Sequence, residues 1–421
     1  MATTGPECIG LTLVLAAMLA APASADDWPQ FLGPHRNATS AEKGLMRAWP
    51  EGGPKVLWTV PVGPGYGGAA IRDGKVYWLD RVDNQKEVLR CLDLQTGAEE
   101  WTVGYDAPGT VDHNGSRSTP AVGEKMVVTV GVYGHVVGVD RATQKPVWAK
   151  HLLQDYGGAL PQWAVAQSPL LYKNLVILAP QSQTVGLVAL DQATGRERWR
   201  SGPIGGMAYA SPVSAMVDGV MQIVLVTADR VAGVAAANGK VLWTYPYKCF
   251  CPIPGAMDLG GGRFFLTGGY NVASEIIRVR RVRRTAGGFA AESLHRFPEI
   301  GSHIHQPILA GQCVYALCNT NEKANGLVCF GSDGQIKWQT RHEPFLDKGA
   351  FLLTGDGLFY SMDGEKGDLR IIEPSPEGYK ELAIAKGVLG GREIWGPLAL
   401  SNGRLVVRDQ RQMKCLDVKG P

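Results

Sequence analysis

Four stretches of this 421-residue chain hold the side chains best suited to chemistry. They are His113-Asn114-Gly115-Ser116-Arg117, Gln162-Trp163-Ala164-Val165-Ala166-Gln167, Ser302-His303-Ile304-His305 and Gly391-Arg392-Glu393-Ile394-Trp395. His113, Arg117, Gln167, His303, His305 and Arg392 supply donors or cations, and Trp163 and Trp395 supply flat faces. A ring of donors with two aromatic plates suits a flat anionic ligand or an extended peptide, through charge-assisted hydrogen bonds and cation–π contact. The same residues also read as the solvated polar lining of a channel. No nucleophile–base pair, Gly-rich phosphate loop or paired-carboxylate motif stands beside them, so no catalytic residue is assigned. His303 and His305 would share one face of a strand. Neither they nor Cys249-Phe250-Cys251 has further Cys or His at ligand spacing, and no metal site is expected.

What must position these residues is a repeat. Ala189-Leu190-Asp191-Gln192-Ala193-Thr194-Gly195-Arg196-Glu197-Arg198-Trp199 reads as a strand, a tight Asp-x-x-Thr-Gly turn and a second strand carrying Trp. Versions recur at Asp93 to Trp101, Asp140 to Trp148, Asn238-Gly239 to Trp243 and Asp333-Gly334 to Trp338. Asp and Thr can bond backbone groups in the turn, Gly supplies a positive φ, and the Trp can reach a neighbouring unit. Trp at 58, 101, 148, 199, 243 and 338 mark this position and are read as structural. A fifth unit ending near Phe297 and a seventh ending near Leu382 lack the Trp. Cys91, Cys329 and Cys415 stand where Ala189 stands, which suits a small buried strand residue. Each chemically rich stretch falls just before the first strand of a unit, which places all four at one rim.

The last unit stops at Leu416-Asp417, where its closing strand should begin, while Lys55-Val56-Leu57-Trp58-Thr59-Val60 is a closing strand with no unit before it. Joining the two ends predicts an all-β fold: an eight-bladed β-propeller of four-stranded antiparallel blades, closed by strand 55–60. Residues 55–421 form the propeller and 26–54, rich in Pro and Gly, form a leader pinned to it by Trp28, Phe31 and Trp49. Residues 1–25 read as a cleaved export signal: an apolar run from Ile9 to Ala21, too short to span a bilayer, then Ala23-Ser24-Ala25. The expected destination is the periplasm or the medium, and no transmembrane segment follows.

Cleavage would leave seven of the eight cysteines, an odd number that argues against a full disulfide framework. One disulfide between Cys318 and Cys329 across a hairpin, and one involving Cys249, Cys251 or Cys313, stay open. A net charge of +3 excludes an electrostatic case for nucleic acid. The basic run Arg278 to Arg284 reads as a charged blade edge. The chain is expected to be a monomer.

The repeated Ala-x-Asp-x-x-Thr-Gly-x-x-x-Trp core resembles the pyrroloquinoline-quinone (PQQ)-type β-propeller repeat over roughly Lys55 to Lys419. The leader Trp28-Pro29-Gln30-Phe31-x-Gly33-Pro34 is similar to that of secreted bacterial propellers of this type. The resemblance implies relatedness in fold to quinoprotein alcohol dehydrogenases and to the lipoprotein of the outer-membrane β-barrel assembly machine. The dehydrogenases carry an adjacent cysteine pair against the quinone and bind calcium beside a catalytic Asp. Here no two cysteines are adjacent, and no calcium set can be carried over. The expectation is therefore a non-catalytic binding, scaffold or envelope-assembly propeller that meets a protein or small-molecule ligand at the channel mouth. The alternatives are a PQQ- and calcium-dependent alcohol or sugar dehydrogenase, and a carbohydrate- or peptide-binding sensor.

Overall fold

The structure, a computed structural model, describes Met1 and residues 27–421 apart from 284, 321–323 and 332. Apart from Met1, the expected export signal over residues 1–25, with Cys8, lies outside the described residues. Eight four-stranded sheets make up the fold. Seven run in chain order from an innermost to an outermost strand, beginning with blade 1, Ala70–Arg72 to Glu99–Asp106. The eighth is built from Ala399–Ser401, Arg404–Arg408, Gln412–Asp417 and, as its outermost member, Lys55–Pro61. Lys55 pairs with Asp417 and Pro61 with Gln412, so the two ends of the propeller close the ring as expected.

The repeat motif is a docking device between blades. In its turns the Asp carboxylate accepts from the Thr hydroxyl at 2.9 Å at Asp93–Thr96, Asp140–Thr143 and Asp191–Thr194. The Gly that follows takes a positive φ, +71° at Gly97 and +65° at Gly195. Its missing side chain admits the Trp of the preceding blade: a Cβ at Gly97, Gly195 or Gly239 would stand 2.6–2.7 Å from the ring of Trp58, Trp148 or Trp199. Each of these indoles then donates to a backbone oxygen of the blade it enters, at Leu94, Gln192 and Ala236 respectively. Trp338 donates to Ser375 in the same way.

Trp243 instead donates to Gln222 of its own blade, and two further departures follow the same steric rule. Gln144 occupies the glycine position of blade 2 at φ +60°, and Trp101, which would have entered there, packs on Tyr77 of its own blade. In blade 5 the place of the Trp is taken by His295, whose ring lies 2.8 Å from where a Cβ on Gly334 would be. Beneath the aromatic position sit small residues. Cys91, Gly138, Ala189, Gly233 and Cys329 pair with Trp101, Trp148, Trp199, Trp243 and Trp338, and Cys415 pairs with Trp58. These cysteines are buried packing residues, and none of the seven described cysteines forms a disulfide. The register explains why the Cys318–Cys329 expectation fails: Cys329 lies opposite Tyr315.

The leader is more than pinned to the surface. Trp28 exchanges backbone bonds with Ile71 in blade 1, Pro29 accepts from Val122 in blade 2, and Gln30 accepts from Leu171 in blade 3. Ala38 and Ser40 then bond Leu353 in blade 7, and Met46 bonds Val418 beside blade 8. All but the last of these partners lie on innermost strands, which flank the central channel. The chain from 28 to 40 therefore crosses the channel from blade 3 to blade 7. Arg36 is 3% exposed in this crossing and donates to Pro169 and Ser168 oxygens; burial lowers its pKa to about 9.

Candidate functional site

The residues just before each innermost strand converge on one cavity of about 450 Å³. Every blade contributes. Tyr66 comes from blade 1, His113 and Arg117 from blade 2, Trp163 from blade 3, Tyr209 from blade 4, and Cys251 and Tyr270 from blade 5. His303 and His305 belong to blade 6, Lys348 to blade 7, and Glu393 and Trp395 to blade 8. Phe31, on the leader segment that crosses the channel, also lines it.

Six of the eight residues singled out from the sequence lie in this wall: His113, Arg117, Trp163, His303, His305 and Trp395. Gln167 does not. It is buried, and its amide both donates to and accepts from the backbone of Ala179, which ties the loop to the sheet. Arg392 is exposed and outside the wall, because the backbone turns at Glu393 and sends that side chain inward instead. His303 and His305 sit in an irregular loop, so strand alternation is not what directs them.

The wall has two unlike halves. On blades 8, 1 and 2, Trp395 lies 5.5 Å from Tyr66 and stacks on His113 at 6.3 Å. The Tyr66 hydroxyl donates to Glu393 at 2.5 Å, and His113 Nε2 stands 3.9 Å from the same carboxylate. Burial, with that carboxylate alongside, holds the Tyr66 phenol far above its ordinary pKa, so it remains a donor. Arg117 lies over the Tyr66 ring at 5.8 Å and Lys348 over Trp395 at 6.0 Å. Backbone oxygens of Asp112, His113 and Gly115 hold the Arg117 guanidinium, whose pKa burial lowers. Across the channel, Trp163 meets Tyr209 at 5.6 Å and Phe250 at 5.8 Å. Phe250 meets Tyr270 at 5.4 Å, and Tyr270 meets His303 at 4.9 Å.

His305, 8% exposed, has no hydrogen-bond partner at Nε2, and burial lowers its pKa to about 4. Burial pushes the thiols of Cys249 up to about 11 and Cys251 up to about 12, which leaves them protonated and poorly nucleophilic near neutrality.

Tyr66, Tyr209, Tyr270, Lys348 and Phe31 escaped the sequence reading. The first four lie in the loops that differ most between repeats. One signal becomes visible only in the backbone: His113, Tyr270 and Glu393 all adopt positive φ, 53–57°, as does Ala164 beside Trp163. Non-glycine residues pay roughly 1–3 kcal/mol for such conformations, which this chain also adopts in hairpin turns away from the cavity, as at Asp73 and Asp218.

The fold family raises the question of a quinone with calcium. Glu393 is the one carboxylate in the wall and already accepts from Tyr66. Among the described residues no group of three or more His, Cys, Asp or Glu could hold a metal ion. Cys249 and Cys251 are separated by Phe250, whose side chain is 65% exposed. The donor set of the wall therefore does not fit the calcium.

Comparison with known proteins agrees with the fold and leaves the activity open. Residues 84–248 match the family model described as Outer membrane protein assembly factor BamB. The quinohemoprotein alcohol dehydrogenase of Comamonas testosteroni is 26% identical over 138 residues, 31% of this chain and only 18% of that relative's length. Among solved structures, the quinohemoprotein alcohol dehydrogenase ADHIIG from Pseudomonas putida HK5 superposes with a TM-score of 0.63 at 13% identity, covering 94% of this chain and 81% of that one. The computationally designed Ika8 protein superposes with a TM-score of 0.56 at 12% identity, over 86% of this chain and all of that one. At such identities the structural likeness shows the fold alone.

Proposed function

With the PQQ-like repeat shared by dehydrogenases and an assembly factor alike, we propose that this chain is a binding propeller, which after export takes up a small molecule with a flat face in the cavity at its channel mouth. The observation that carries this reading is the pair of facing aromatic arcs, set by backbone conformations that cost free energy. A cavity of about 450 Å³ suits a ligand of one to three rings.

A dehydrogenase would require a quinone poised beside a base and its metal, and the wall offers one carboxylate already engaged by a phenol. The discriminating experiment adds pyrroloquinoline quinone, with and without calcium, to the purified protein and follows dye reduction with alcohols and sugars. In parallel, a panel of ring compounds is screened by thermal unfolding. The reading expects ring compounds to raise Tm, by about 2.7 kcal/mol of stabilisation at a hundredfold excess over Kd, with no dye reduction. Turnover that depends on quinone and calcium would replace the binding reading with the enzyme.

A further inference from the structure

A second cavity, of about 300 Å³, lies against the leader and shares no lining residue with the one at the mouth. Leader residues 34–37 line it, together with the innermost strands of blades 3, 4 and 5, the last of which carries Asp258. Gln306, just before the innermost strand of blade 6, also stands in its wall.

The wall holds a cation and a carboxylate that do not serve each other. Burial alone shifts Arg36, and among the described residues no carboxylate acts on its guanidinium, which donates to the Pro169 and Ser168 oxygens and lies 5.5 Å from the Phe31 ring. Burial likewise raises the pKa of Asp258, which accepts from the Gly260 amide and has no cation acting on it. His35 is the one other ionisable side chain in the wall. Arg370, also buried, shows the contrast, because it meets both Asp368 and Glu381. Two polar atoms of the wall residues are buried with no hydrogen-bond partner: Arg36 Nε, a donor, and Gln306 Oε1, an acceptor. Backbone oxygens orient a guanidinium without cancelling its charge, and a charge withdrawn from water without a counterion is costly.

We propose that this cavity is a second binding site, which takes a small zwitterion with its carboxylate toward Arg36 and its ammonium toward Asp258 and Gln306. One such occupant offsets both uncompensated charges at once, whereas an anion or a cation alone leaves the other unmatched. A volume of about 300 Å³ is at the small end for ligand pockets and limits the occupant to a molecule of amino-acid size. The proposal does not depend on the reading of the mouth, since the two cavities have no wall residue in common.

Calorimetric titration of the full chain compares glycine, β-alanine, γ-aminobutyrate and ε-aminocaproate with butyrate and butylamine, which keep one charge each. At least one zwitterion is expected to bind at least about tenfold more tightly than either singly charged compound, the worth of one charge-assisted hydrogen bond. Asp258→Asn should remove its advantage over butyrate while leaving the affinity of butyrate in place, and Arg36→Gln should remove its advantage over butylamine. Asp258→Asn keeps the test decisive if Arg36→Gln loosens the leader. Trp163→Ala, at the mouth, should leave the titration unchanged, which assigns the binding to this cavity. Zwitterions that bind no better than butyrate or butylamine overturn the proposal, as does an absence of binding by all four. Binding that falls with Trp163→Ala and not with Asp258→Asn overturns it too. None of these outcomes counts against the binding reading of the mouth.

Discussion

His305 places an ionisable ring where water cannot hydrate its charge. Its pKa of about 4 lies below the ordinary histidine value of 6.5, so the unfolded chain binds the proton more readily. Stability from this group is complete above about pH 6.5 and is lost as pH falls toward 4. The loss by pH 4.5 is on the order of 2–3 kcal/mol. Denaturant unfolding of wild type and His305→Gln at pH 7 and 4.5 should therefore show the wild type losing more stability by about that amount; equal losses would contradict it. The docking motif gives a second test at this scale. Trp199→Ala removes a ring seated on Gly239 and its bond to the Ala236 oxygen, and should cost about 3–5 kcal/mol in urea unfolding. Gly239→Ala forces a Cβ to within 2.6 Å of that ring at φ +75°, and should destabilise by more than about 1 kcal/mol with no loss of surface area.

The repeat was legible because its constraint is local. A Thr-Gly turn and a Trp eight residues after the Asp declare themselves within a single unit such as Asp191 to Trp199, and the unpaired strand at Val56 fixed how the ring closes. The leader was not legible in the same way. Its crossing of the channel depends on partners hundreds of residues away, such as Leu353 for Ser40 and Val418 for Met46, and no local pattern encodes them. Phe31 in the cavity wall follows from that crossing, and so could not be read from Trp28-Pro29-Gln30-Phe31 alone. Gln167 shows the converse error: an amide in a promising loop turned out to serve the backbone of Ala179. As an element the leader should behave as a plug. Trp28→Ala, at a side chain 2% exposed, should lower stability by about 3–5 kcal/mol. Phe31→Ala should change ligand affinity far more than stability, read by calorimetry beside thermal unfolding.

At the scale of the whole molecule the ring is closed at its seam, where the strand Lys55–Pro61 covers the edge of Gln412–Asp417. Removing residues 27–61 would expose that edge, and light scattering should then show more association than the intact chain does. The charge of +3 and the 19% of charged residues set no strong field over the outside. The proposed binding site draws on the mouth, where eight non-identical loops meet on an otherwise repetitive body. This division explains why fold and function separate so cleanly here: the repeated residues lock blades together, and the unrepeated ones face the cavity. The most direct test is a calorimetric titration of the tightest ring compound into wild type and into a Trp163→Ala, Trp395→Ala double variant whose thermal unfolding shows an intact fold. The account predicts one site per chain and an affinity weakened about tenfold to a hundredfold in the variant, two ring contacts at roughly 1 kcal/mol each; an unchanged affinity would contradict it.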